Sequence, residues 1–80
     1  MAEDEILSLI SKGIEGSVYG ETRAARETIL GEVLEVLKAL REGRVTPNIA
    51  YNAIYGIVRR WRLALTPREI GELRRLLGVS

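Results

Sequence analysis

The sequence predicts an all-α fold, a small antiparallel bundle of three to four helices, and three observations carry that prediction. Apolar residues recur at three-to-four spacing through most of the chain. Two segments, "VTPNIA" and "LTPREI", begin with the threonine–proline pair that starts helices. No segment alternates with the period of two that a half-buried strand requires. Eighty residues suffice for one domain, 1–80, with one small core.

The first helix is predicted from about Glu3 to Ser17. Ile6, Ile10 and Ile14, with Leu7 and Val18, form its apolar stripe, and Gly13 and Ser17 beside that stripe allow another backbone to approach closely. Glu3, Asp4 and Glu5 suit the positive end of its dipole. Glycines in "GIEGSVYGE" can end it early.

The second helix, from about Glu21 to Glu42, is expected to be central. Ala25, Ile29, Leu30, Val33, Leu34, Val36, Leu37 and Leu40 cover close to half its circumference, a stripe that must meet more than one neighbour. Gly43 in "REGR" is placed to cap its end. The third helix takes Thr46 as N-cap and Pro47 as first residue, and is expected to coil unbroken over 47–64, burying Ala50, Ala53, Ile54, Ile57, Val58 and Trp61. The fourth opens with Thr66 and Pro67, adds Glu69 at capping-box spacing, and buries Ile70, Leu73 and Leu77. Gly78 closes it, with Val79 folding back.

Composition narrows the chemistry. Cysteine and histidine are absent, which excludes disulfides, thiolate or imidazole zinc sites, cysteine nucleophiles and histidine acid–base catalysis. The single aspartate lies near the start, and Ser8, Ser11, Ser17 and Ser80 have no histidine to activate them. No glycine-rich phosphate loop occurs, and no i, i+3 or i+4 pair of acids falls on an apolar face. The expectation is a protein that is not an enzyme, takes no cofactor or metal, and shows no small-molecule substrate. The acidic start "MAEDEIL" differs from a secretory leader and no apolar run spans a bilayer, so no membrane role and a cytoplasmic location are expected. Ten Arg against two Lys, with no Gln and two Asn, suits a thermophile, although a GC-rich genome gives the same bias.

Charge is unevenly distributed. Residues 1–40 carry four cations and eight acids; residues 41–80 carry eight arginines and three glutamates. That polarity can steer an anionic partner to the second half, or the halves can neutralise each other within the bundle or between two copies.

On a helical wheel, Tyr51, Tyr55, Arg59 and Arg62 fall within about 80° of one another beside the third helix's buried stripe. Tyrosines stack on bases, and guanidiniums pair with phosphates or stack in turn. Arg68 and Arg75 face outward together on the fourth helix and extend this basic surface if the two helices pack side by side. The same residues also fit a plain solvated flank, with Glu72 pairing to Arg68 or Arg75. Arg26 lies in the apolar arc of the second helix and must reach water, a carboxylate such as Glu15 or Glu21, or a partner chain. Ile49 and Leu63 point away from the predicted core and, with Arg26, are candidate subunit contacts.

The stretch "LTPREIGELRRLL", residues 65–77, resembles the opening helix of the LuxR-type helix-turn-helix domain, which begins with a leucine, a threonine cap, a proline and an acidic residue. The likeness covers thirteen residues. The recognition helix that a major-groove reader needs does not follow in the sequence, and no residue role is carried over. The function expected from the sequence is therefore a non-enzymatic helical binding module whose basic second half contacts nucleic acid or nucleoprotein without strong sequence specificity. The alternative is a protein–protein interaction or assembly subunit, a homo-oligomeric bundle or an adaptor, whose partner is another protein or its own copy.

Overall fold

The computed structural model describes residues 2–79 and consists of four helices, α1 (Glu3–Glu15), α2 (Arg23–Arg41), α3 (Pro47–Arg60) and α4 (Pro67–Leu77). No strand forms among the described residues. The helices close a ring: α1 packs on α2, α2 on α3, α3 on α4, and α4 returns to α1. Each neighbour runs antiparallel to the last, as the cross-links require. Arg41 at the end of α2 bonds Glu3 at the start of α1, and Lys12 late in α1 meets Glu69 early in α4. The second helix packs on both α1 and α3, as its wide apolar stripe requires, and α4 closes the ring from α3 back to α1.

The core follows the predicted stripes. Ile6, Ile10 and Ile14 from α1, Ile29, Val33 and Leu37 from α2, Ile54 from α3 and Leu73 from α4 are fully buried. Each such side chain contributes about 1.5–3 kcal/mol by leaving water. Three sequence expectations fail at the rims. Val18 is 85% exposed because α1 stops at Glu15 and the chain turns away from the stripe. Leu34 stays 45% exposed and Ala53 is exposed, since each helix of a ring has only two neighbours and the widest arcs overhang them.

Three helices stop in the same way. In α2 the N–H of Gly43 donates to the Leu40 carbonyl and that of Arg44 to Ala39. In α4 Gly78 donates to Arg75 and Val79 to Arg74, and in α3 Arg62 donates to Arg59 and Leu63 to Val58. This paired bonding needs a left-handed residue one place beyond the cap. Gly43 and Gly78 supply it at φ 75° and 82°, whereas α3 uses Arg62 at φ 52°. A left-handed backbone costs an L-residue about 1–2 kcal/mol. The return is burial of Leu63, which is only 8% exposed.

Leu63 thus belongs to the core, not to a subunit contact. The expected unbroken cylinder over 47–64 ends at Arg60.

The chain after Leu63 lies across the end of α1. The Ala64 N–H donates to the Gly13 carbonyl at 2.9 Å. A Cβ on Gly13 would sit 3.1 Å from Leu65 Cγ, and one on Gly16 would sit 2.8 Å from Ala64 Cβ. Gly13 and Gly16, rather than Gly13 and Ser17, therefore provide the close approach. The Ser17 hydroxyl instead donates to the Ile14 carbonyl. In contrast, a Cβ on Gly71, exposed in the middle of α4, meets nothing within 4 Å. Two substitutions follow with opposite signs. Gly16→Ala should destabilise by about 1–3 kcal/mol through overpacking, and Gly71→Ala should stabilise by about 1 kcal/mol through helix propensity. Thermal melts of the two variants check this, and equal shifts would contradict the packing described.

Candidate functional site

The site is built where α3 and α4 lie side by side. The N-caps of both helices form as the sequence predicts. Thr46 accepts from the Ile49 N–H, and Thr66 and Glu69 complete a capping box, with Glu69 Oε1 accepting from the Thr66 N–H at 2.9 Å. Glu69 also holds the Lys12 ammonium of α1 at 2.7 Å. That ammonium, with the Thr66 bonds, keeps the Glu69 carboxyl below its ordinary value of 4.5. So α4 is fixed at its first turn to α1 while its other flank faces α3.

On that flank the tyrosines and arginines form a ladder. The Tyr51 and Tyr55 rings stack on one another, centroids 5.8 Å apart and planes within 16°. Arg74 lies over Tyr51 at 4.8 Å, and Arg59 lies over Tyr55 at 5.8 Å. Cation–π contacts of this exposed kind contribute roughly 0.5–1 kcal/mol each, enough to bias where a guanidinium rests. The ladder therefore presents oriented cations, with the phenol rings occupied by each other and by arginine. Asn48 and Asn52 stand beside Tyr51 and Arg74 and add amide groups to the same strip.

Beyond Arg59 the strip opens into a groove of ≈ 390 Å³ at the α3–α4 turn. Val58, Leu63, Leu65 and Ile70 form its floor with Pro67, and Tyr55 flanks it. Arg59 and Arg62 line it too. Arg62 reaches this place from the turn, not from the α3 cylinder on which the wheel had set it.

The other sequence candidates separate. Arg68 is exposed, with no carboxylate within 4 Å among the described residues. Arg75 is committed to Glu72, its Nε donating to Oε2 at 3.2 Å and a second nitrogen to Oε1. That pairing raises the Arg75 pKa and lowers that of Glu72, so Arg75 is a compensated charge and does not join the strip. Arg74, one residue earlier, does. Sequence reading missed it because Arg74 flanks the apolar stripe of α4, and only the antiparallel pairing of α3 and α4 shows that this flank faces Tyr51. Arg26 meets Glu15 at 3.7 Å, the carboxylate solution. Ile49 remains 54% exposed. Trp61 is half-buried at the end of α3, donating its indole N–H to Glu32 at 3.0 Å and standing edge-on to Tyr19.

Pairing across the molecule sorts the remaining charge. Arg41 takes Glu3, Arg60 lies 3.8 Å from Glu32, and Arg44 takes Glu42. Arg59, Arg62, Arg68 and Arg74 have no carboxylate within 4 Å among the described residues, and all four belong to α3, α4 or the turn between them. No group of three or more acids able to hold a metal occurs among the described residues, and no helix there is long and apolar enough to cross a membrane. Comparison with family models, with curated proteins and with solved structures finds no match.

The Glu69 contacts predict a pH effect with a definite sign. A carboxyl held below its unfolded value adds stability above about pH 4.5, and that stability is lost as pH falls through the lower folded value. Glu69→Gln should therefore melt with a flatter acid limb than the parent protein. An unchanged slope below pH 4.5 would remove Glu69 from the set of groups that tie α4 to α1.

Proposed function

We propose that the protein is a non-enzymatic binding module whose α3–α4 face holds the backbone of a nucleic acid, free or within a nucleoprotein, without strong sequence specificity. One observation carries this reading: the guanidiniums of Arg59, Arg62 and Arg74 have no carboxylate partner among the described residues and lie along the tyrosine ladder and the groove at its end. Arginines laid along a strip suit phosphates, and phosphate contacts position a strand without reading its bases. The tyrosine stack supports the same reading, since it orients Arg59 and Arg74 before any ligand arrives.

The test is the salt dependence of binding to a fluorescent single-stranded oligonucleotide. Each phosphate contact contributes about −0.7 to the log–log slope for single strands. Replacing Arg59 or Arg74 by Ala should each remove about that amount, whereas Arg75→Ala should leave the slope unchanged. Equal effects of Arg74 and Arg75 would count against the proposed face, and absence of binding by the parent protein would end the reading.

A second reading rests on the opposite flank. Exposed Ile49 borders an apolar groove of ≈ 260 Å³ between α2 and α3, with Val36, Ala39 and Ala53 along it. Arg44 stands at its turn end, and Glu35, with no cation within 4 Å among the described residues, stands further along α2. Across a two-fold axis through this groove Glu35 can meet the other copy's Arg44, which within one copy rests on Glu42, so the favoured occupant is a second copy of the chain. Light scattering tests it. Glu35→Arg should dissociate the dimer and added Arg44→Glu should restore it, whereas a parent protein that is monomeric when concentrated would discard the reading.

A further inference from the structure

We infer that the groove at the α3–α4 turn is a pocket for the phosphorylated end of a nucleic-acid strand, and that Arg62 occupies a glycine position because its guanidinium is needed there. The inference rests on the nucleic-acid reading above and makes it specific.

Three helix stops share one bonding pattern, and two of them place glycine at the left-handed residue. The third places arginine at φ 52°. Burial of Leu63 dictates the turn, but glycine would make that turn with less strain. Nothing in the fold uses the Arg62 side chain: no carboxylate lies within 4 Å of it among the described residues, and none of the side-chain hydrogen bonds there involves it. Its one structural relation is to the groove that it lines with Arg59 and Tyr55. A non-glycine residue held in this region points to a role outside folding.

The groove's shape and charge select the ligand. At ≈ 390 Å³ it falls within the range of about 300–1,000 Å³ typical of small-ligand sites. It lies where the connecting turn bridges α3 to α4, beyond the Arg59 end of the tyrosine ladder. The floor of Val58, Leu65 and Ile70 suits the flat face of a base. Two unpaired guanidiniums suit a terminal phosphate monoester, which carries about −1.5 to −2 charge at pH 7, against one charge for an internal diester.

The experiment titrates the full chain against hexathymidylates carrying a 5′-phosphate, a 3′-phosphate or neither. One phosphorylated form should bind at least about tenfold tighter than the unphosphorylated form, a difference of about 1.4 kcal/mol. Arg62→Gly should abolish that advantage while raising Tm by about 4–8 °C. Arg62→Asn, which tolerates the left-handed backbone and carries no charge, should also abolish the advantage. Equal binding of all three oligonucleotides would overturn the pocket and leave the general backbone contact standing. No binding of any would overturn both. An Arg62→Gly protein that keeps the end preference, or one with lowered Tm, would overturn the role given to Arg62. A phosphotyrosine peptide bound as tightly as the phosphorylated strand would also overturn the assignment, in favour of a protein partner.

Discussion

Between α3 and α4 the chain has six residues in which to reverse direction, and it does so by driving Leu63 into the core and laying Ala64 and Leu65 against the end of α1. The glycines at 13 and 16 leave room for this crossing, and the Ala64 N–H closes it on the Gly13 carbonyl. Several features depend on that crossing. It ends α3 at Arg60, docks α1 against the turn, and sets the start of α4 within reach of Lys12. It also determines which side chains remain outside. Once Leu63 is committed inward, Arg62 must take the left-handed backbone and project beside Arg59.

Charge distribution follows from the ring as much as from composition. Three glutamates of α1 and α2 meet cations across the helix interfaces, Glu3 with Arg41, Glu15 with Arg26 and Glu32 with Arg60, while Glu69 and Glu72 take Lys12 and Arg75. Exposed pairs of this kind contribute little to stability. Their effect is to remove those arginines from any surface field. What is left is uneven: Arg59, Arg62, Arg68 and Arg74 on α3, α4 and the turn between them and Lys38 on α2, against Asp4, Glu5, Glu21 and Glu35, without cations within 4 Å among the described residues, on α1, α2 and the loop joining them. The near-neutral total of +1 conceals this separation.

Local signals made much of the fold legible in the sequence. Thr46–Pro47, Thr66–Pro67 with Glu69, Gly43 and Gly78 each announce a helix boundary through their own backbone chemistry, and each stands where it was expected. The end of α3 gives no such sign because its left-handed residue is an arginine, so the expected cylinder runs four residues past Arg60. Leu63 was misplaced for the same reason. Ala53 and Val18 failed differently: their burial depends on how far a neighbouring helix reaches, which periodicity does not contain. The Tyr51–Tyr55–Arg59 face was readable from one helix alone. Arg74 was not, because its relation to Tyr51 is set by the pairing of two helices.

The ladder limits what the proposed face can recognise. A phenol ring free on both sides would accept a base, but Tyr51 and Tyr55 spend their stacking on each other and on Arg74 and Arg59. An incoming base would have to displace a guanidinium that already holds its place, and would gain only the difference between the two contacts. Phosphate faces no such competition, because a guanidinium resting on a ring still presents its N–H groups at the edge of its plane. The same stack that orients the cations therefore favours charge over base identity along the strip. Discrimination can arise only where the aromatic cover stops, at the apolar floor beside Arg62, and there the chain holds a strained backbone in place of a relaxed one.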